Sequence, residues 1–165
     1  MALPTSKRQA ALTDLLNRLS FITKAKGYNT DAGASISQGE APRFGDAEDP
    51  ETALAVFVGD DVPEHAGGMI RTRVPIEIWA TVPAGLSSPL LAIEAIIADI
   101  REAVEIERDG GVDRSLGLMA EGGPATMPTG LERGSTRPLR REPGSDYVGA
   151  SCEYVARFET SWGTP

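Results

Sequence analysis

The sequence predicts an α+β fold: a mixed or antiparallel β-sheet with two amphipathic helices packed on one face, joined by long loops. Three observations carry this. Two segments repeat apolar residues at spacings of three and four, and two others alternate apolar and polar residues over more than ten positions. Glycine (18) and proline (12) together make about 18% of the chain against a usual ~12%. That excess implies much loop, and the strongly apolar periodic segments argue against wholesale disorder. A chain of 165 residues fits one domain, 1–165, with room for a real core.

Leu12, Leu15, Leu16, Leu19 and Ile22 form one stripe and predict a helix over residues 6–24. Ser6 and Gln9 match a capping box, and Gly27 supplies a stop through the left-handed conformation. Residues 32–38 predict a short strand with Ala34 and Ile36 on one face. Residues 39–50 hold Pro, Gly and acids without a period and read as an exposed loop. Residues 52–59 (TALAVFVG) are apolar on both faces, as in a strand interior to a sheet. Residues 60–68 carry two Asp, a Pro and a Gly pair and read as a loop making a hairpin connection.

Residues 69–82 (MIRTRVPIEIWATV) are the clearest pattern. Ile70, Val74, Ile76, Ile78 and Val82 fall on one face, and Arg71, Arg73, Pro75, Glu77, Trp79 and Thr81 on the other. Pro75 has no N–H, so it belongs at an edge, a bulge or a non-bonded position. Ser88 and Pro89 then open a helix over residues 89–107. Its stripe is Leu90, Ile93, Ile97, Ile100 and Val104, widened by Leu91 and Ile96, and it stops at Asp109-Gly110-Gly111. Residues 111–146 have little period. A helical turn fits Ser115 to Met119, a strand fits part of 125–131, and 130–146 read as a long flexible loop rich in Arg, Pro, Gly and Ser. Residues 147–162 alternate again, with Val148, Ala150, Cys152, Tyr154, Ala156 and Phe158 on one face. Both helices on one face of the sheet bury all these stripes together.

The net charge of −8 argues against a nucleic-acid binder with a basic face. Residues 40–64 hold eight acids and one base, and so nearly the whole net charge. Residues 131–142 reverse the balance, with Arg133, Arg137, Arg140 and Arg141 against Glu132 and Glu142. One cysteine cannot form an intramolecular disulfide, and neither a signal peptide nor an 18-residue apolar run occurs. These features predict a soluble, cytosolic protein.

No catalytic, cofactor-binding or metal site is predicted. His65 is the only histidine and falls in a Pro/Gly loop, while Cys152 falls on a buried strand face, where cysteine behaves as a small apolar residue. Asp46, Glu48, Asp49 and Glu51 offer carboxylate oxygens but lack the spacing of a calcium loop, so they read as a solvated acidic loop. The glycine pairs belong to no phosphate-binding motif, and no nucleophile elbow occurs. The arginines of 131–142 lack interleaved aromatics for base stacking and better suit an acidic protein surface. Trp79 beside Glu77, Arg73 and Arg71 has the composition of an interface centre, and cover by a loop or by the neighbouring helix of the same subunit accounts for it equally well.

In layout, the chain resembles the lambda-type tail terminator (tail-completion) subunits of long-tailed bacteriophages. The resemblance runs through the helix Leu12 to Ile22, the strand TALAVFVG, the strand IRTRVPIEIWATV, the helix SPLLAIEAIIADIREAV, the connection containing SLGLM and the final strand YVGASCEYVARFETSW. It implies a virion protein, assembled in the host cytoplasm, that caps the head-proximal end of the tail tube as a homohexameric ring. Such a ring ends tube polymerisation and offers a surface to the head–tail connector, so the implied partners are the chain itself, the tail tube protein and the connector. The resemblance also implies that DNA passes through the ring without specific binding. If the acidic residues Asp46, Glu48, Asp49, Glu51, Asp60 and Asp61 lined the bore, its wall would repel DNA. Alternatively, the arginines of 131–142 would pair with a neighbour's acidic segment in a head-to-tail contact that closes by rotation.

Other readings stand beside this one. A further neck component or a tube subunit would look alike in sequence. A small metal-dependent hydrolase would use the acidic loop. A small-ligand module would need an aromatic-lined pocket, and aromatics are 5% of residues.

Overall fold

A computed structural model describes residues 7–44, 50–66, 69–105, 107–108, 111–112 and 130–161. Ser6, Asp46, Glu48, Asp49, the Gly67-Gly68 pair, the His65 side chain, the helical turn at Ser115 to Met119 and Trp162 lie outside the described residues. The fold is α+β, with a mixed six-stranded sheet and two helices.

Helix α1 (Lys7–Ser20) buries Ala11, Leu15 and Leu19, and Ile22 just after it is also fully buried. Leu12 and Leu16 pack at the margin of the core. The helix expected to run to residue 24 stops at Ser20; a short 3₁₀ turn (Lys24–Lys26) follows, and Gly27, with φ of +92°, ends that turn and not the helix. The predicted strand 32–38 divides in two. Ala32–Ala34 is a 3₁₀ turn, and only Ile36–Gln38 (β1) is extended. Gly33 explains the division: its N–H donates to the Ile22 carbonyl at 2.9 Å, which packs the turn onto the end of α1.

Strand β2 (Ala53–Val58) pairs parallel with β1 and antiparallel with the long strand β4 (Met69–Pro83). The segment expected as a loop after β2 contains a strand, β3 (Val62–Ala66), which makes a hairpin with the first part of β4. Strands β2 and β3 thus share one edge of β4. Opposite their break, Val74 and Pro75 face Gly59, Asp60 and Asp61, an extra residue of the kind that makes a bulge. Pro75 sits at this break, where its missing donor costs no ladder bond, and its carbonyl accepts from Gly59 N–H at 2.8 Å.

Helix α2 (Pro89–Glu105) buries Ile93, Ile96, Ile97, Ile100, Ala103 and Val104. Its stripe differs from expectation at one end: Leu90 and Leu91 are each 75% exposed. They occupy the first turn, which lies beyond the core. Two-residue strands β5 (Glu107–Arg108) and β6 (Gly111–Val112) pair with each other. Residues 130–138, expected as part of a loop, form edge strand β7 (Gly130–Pro138) on β8 (Tyr147–Ser161). Strand β8 pairs with β4 over all fifteen residues of each, so the order is β1-β2-β4-β8-β7.

The even-numbered residues of β2, β4 and β8 face the helices. Leu54, Val56, Val74, Ile76, Ile78, Val82, Tyr154 and Phe158 join the helical stripes in one core. The turn after α1 is tied to α2 by Asp99, a fully buried carboxylate among isoleucines.

Candidate interaction face

The odd-numbered residues of β4 and β8 point away from both helices. Strict alternation in the two strands produces this face, because one set of side chains is committed to the core and the other is left outside. On it stand Arg71, Arg73, Glu77 and Trp79 of β4, with Arg157, Val155, Glu153 and Ser151 of β8.

Two bands cross the face. In the first, Glu77 is the hub. It accepts hydrogen bonds from Trp79 Nε1 at 3.1 Å and Ser151 Oγ at 3.2 Å, and its other oxygen lies 3.6 Å from Arg137 Nη2. Arg137 also pairs with Glu153 at 2.7 Å, and Glu153 accepts from the Ser135 hydroxyl. In the second band Arg73 and Arg157 stand opposite each other in the ladder. Like charges so placed repel, and a carboxylate on each flank offsets this: Glu64 lies 3.3 Å from Arg73, and Glu132 lies 2.8 Å from Arg157. The Nε atoms of both arginines are buried without a hydrogen-bond partner. Arg71 stands in register between Glu64 and Glu159.

Trp79 is half-buried. Its ring lies 4.4 Å from that of Phe57 and 6.3 Å from that of Tyr147, centroid to centroid. Ala53, Ala55, Thr81 and Ser151 at this end of the same face are buried. Two segments reach it. Leu139 N–H donates to Gly149 O at 2.9 Å, and Phe44 N–H donates to Asp146 Oδ2 at 3.0 Å. Between Trp79, Tyr147, Leu139, Arg140, Glu142 and Asp146 lies an open groove of ≈ 480 Å³. Cover by a loop or a helix of the same chain and an interface centre are all compatible with Trp79 in the sequence; the helices lie on the other face of the sheet. The loop cover is present on one side, and the groove remains on the other.

The structure brings Glu77, Trp79 and Arg137 into one cluster and places Arg71 and Arg73 on the same face. Arg133 points to the helix side, where it lies 3.1 Å from Glu105. Arg140 and Arg141 are exposed after β7 and make no ion pair among the described residues. The described acids are spread out. Glu51 precedes β2 and lines a groove with Lys24 and Asp31, whereas Asp60 and Asp61 follow β2, roughly 25 Å along the strand. Asp61 pairs with Arg8 of α1.

Several residues that organise these sites carry no periodic signal. Glu105 takes Tyr154 OH at 3.1 Å and Arg133 together, joining α2 to β8 and β7. Ser151 and Glu153 complete the Glu77 cluster, and their places are set by ladder register alone. Burial pushes the Cys152 thiol above its ordinary value, partly opposed by a hydrogen bond from Thr136 and by the charge of Arg101. Among the described residues no three His, Cys, Asp or Glu side chains stand together as a metal site, and no helix is long and apolar enough to cross a membrane. No protein-family model and no curated protein matches the chain.

Proposed function

We propose that this chain is a structural subunit that assembles with copies of itself into a ring of the phage tail terminator kind. As such it would close the tail tube at its head-proximal end, with the tube protein and the head–tail connector as neighbours. One observation carries the reading. Two fifteen-residue strands, paired end to end, hold out a broad face of Arg, Glu and Trp side chains that neither helix covers. Such a face suits repeated contact with other protein surfaces, since arginine and tryptophan dominate interface centres. The helix, strand, long-strand, helix, final-strand order is that of the resembling family.

The test is the state of the purified full chain at micromolar concentration. Mass photometry and negative-stain microscopy should give a closed ring, with six copies expected. A strict monomer would overturn the assembly reading. In a particle, loss of the protein should give tails of unchecked length. Tails of normal length beside unattached heads would assign it to the neck instead.

A further inference from the structure

Among the described residues, the Lys and Arg side chains are engaged within the chain, by carboxylates in most cases, by the Thr136 hydroxyl at Arg101 and by the Phe21 ring at Lys26. Three are the exception. Arg43, Arg140 and Arg141 are exposed and meet no partner among the described residues. They gather at one corner, the end of the sheet where β4 and β7 stop and β8 starts. Arg43 precedes Phe44, whose N–H is fixed to Asp146 Oδ2 at 3.0 Å. Arg140 follows Leu139, whose N–H is fixed to Gly149 O at 2.9 Å. Asp146 and Gly149 are three residues apart, so roughly 10 Å of strand separates the two anchors.

The groove of ≈ 480 Å³ beside Trp79 opens at this corner. That is an ordinary size for a ligand cleft. Its wall offers three chemistries. Trp79, Leu139 and Tyr147 give apolar surface, Arg140 gives a free cation, and Glu142 and Asp146 give acceptor oxygens. The Trp79 indole N–H is already taken by Glu77, so the ring presents only its apolar surface. The Glu142 carboxylate has no partner among the described residues, and Asp146 keeps one oxygen beyond the one that Phe44 uses. Burial raises the Tyr147 phenol above its ordinary value, and the charges of Glu142 and Asp146 add to the shift, so both carboxylates act on this ring.

These walls together select a polypeptide. Three unpaired guanidinium groups attract carboxylates, and the ring surface takes an apolar side chain. Glu142 and Asp146 need donors, which a peptide main chain carries at nearly every residue and a phosphate backbone lacks. A polyanion without donors meets those two carboxylates only as repulsion. We propose that the groove beside Trp79 binds an acidic segment of a partner protein, with an apolar side chain against Trp79 and Leu139 and flanking carboxylates on Arg43, Arg140 and Arg141. The partner is a different chain from this one. In the assembly reading above, copies meet through the broad face of β4 and β8, which leaves the corner for another protein; that choice alone rests on the assembly reading.

Binding of a labelled EELEE peptide to the purified full chain tests this, read by fluorescence anisotropy, with a KKLKK peptide and a single-stranded oligothymidine as comparison probes. EELEE should bind, weaken as salt rises, and change Trp79 emission in a Trp162→Phe background. Arg140→Gln with Arg141→Gln should weaken it at least tenfold. Arg8→Gln, a neutralisation beyond the far end of β2 where Arg8 pairs with Asp61, should leave the affinity unchanged. Tighter binding of oligothymidine would make the corner a nucleic-acid contact and overturn the proposal. So would EELEE binding no better than KKLKK, or bound EELEE with unchanged Trp79 emission. A peptide that binds only after Asp46, Glu48 and Asp49 are changed to alanine would mean that the chain's own acidic segment fills the groove. Loss of self-assembly in the Arg140→Gln, Arg141→Gln variant would mean that a second copy fills it. Either result overturns a separate partner. A monomeric wild-type chain that binds EELEE would remove the ring reading and leave the groove's acidic partner in place.

Discussion

Asp99 of α2 accepts both the backbone N–H and the hydroxyl of Thr30, at 2.8 and 2.7 Å. Its other oxygen takes the backbone N–H and the side-chain amide of Asn29, at 2.9 and 2.8 Å. One buried carboxylate therefore holds the turn after the first helix against the second. Asp99→Ala leaves buried donors without partners and should cost about 3 kcal/mol, read as a lower urea midpoint. Asp99→Asn keeps one acceptor oxygen and should cost less. Equal midpoints for Asp99→Ala and wild type would disprove the clamp.

Gly33 packs so closely on the end of α1 that a Cβ would stand 2.2 Å from the Leu19 carbonyl oxygen. The backbone must move to admit one, so Gly33→Ala should cost more than about 3 kcal/mol or abolish folding. Gly27, with φ of +92° and open space around it, should lose only about 1 kcal/mol on the same change. Thermal melts of the two variants separate crowding from backbone preference; similar losses would contradict the packing.

Burial raises the Tyr154 phenol far above its ordinary 10.0, and the charge of Glu105 and the hydrogen bond to it add to the shift. Cys152 is raised from 9.0, chiefly by burial. Both groups are neutral in the fold and ionise sooner in the unfolded chain. The stability they contribute is thus complete below pH 9.0 and is lost progressively as pH rises through these values. The unfolding midpoint should fall on the alkaline side, and Tyr154→Phe should flatten that fall. A wild-type midpoint unchanged above pH 10 would refute it.

The same burial predicts that Cys152 resists iodoacetamide at neutral pH and reacts once the chain is unfolded in urea. Mass spectrometry of the intact chain reads this directly. Rapid stoichiometric labelling of the folded protein would place the thiol at the surface.

Within the Glu77 cluster the two partners should behave unequally. Arg137 is 60% exposed at its side chain, and its ion pairs are screened, so Arg137→Ala should cost under about 1 kcal/mol. Glu77→Ala strips an acceptor from Trp79 Nε1 and from the buried Ser151 and should cost about 2 kcal/mol. Denaturation of both variants in a Trp162→Phe background should also show altered Trp79 fluorescence in Glu77→Ala alone. The reverse order of costs would rule out Glu77 as the hub.

The elements that bury one face were legible from sequence, because burial imposes a period. Strands β4 and β8 and most of both helical stripes follow from it. Strand β7 was not legible, since an edge strand exposed over nearly all its length has no apolar period to display. Leu90 and Leu91 continue a helical stripe that has no core beneath it, and periodicity cannot tell where a layer ends. Asp99 left a faint mark, an acid inside an apolar run with Asn29 and Thr30 waiting in a turn, but only distance in space joins them. The Glu77 cluster depends on a fifteen-residue register that no local pattern encodes.

The rims of the sheet hold one more consequence. Strand β1 has three residues, β3 contains Pro63, and β7 carries the Gly134-Ser135 irregularity, Pro138 and charged neighbours. Each border is too short, too kinked or too charged to template a further strand. Copies can meet through side chains, yet they cannot zip into an endless ribbon. If the chain caps a growing tube as proposed, the same borders guard it against starting growth of its own.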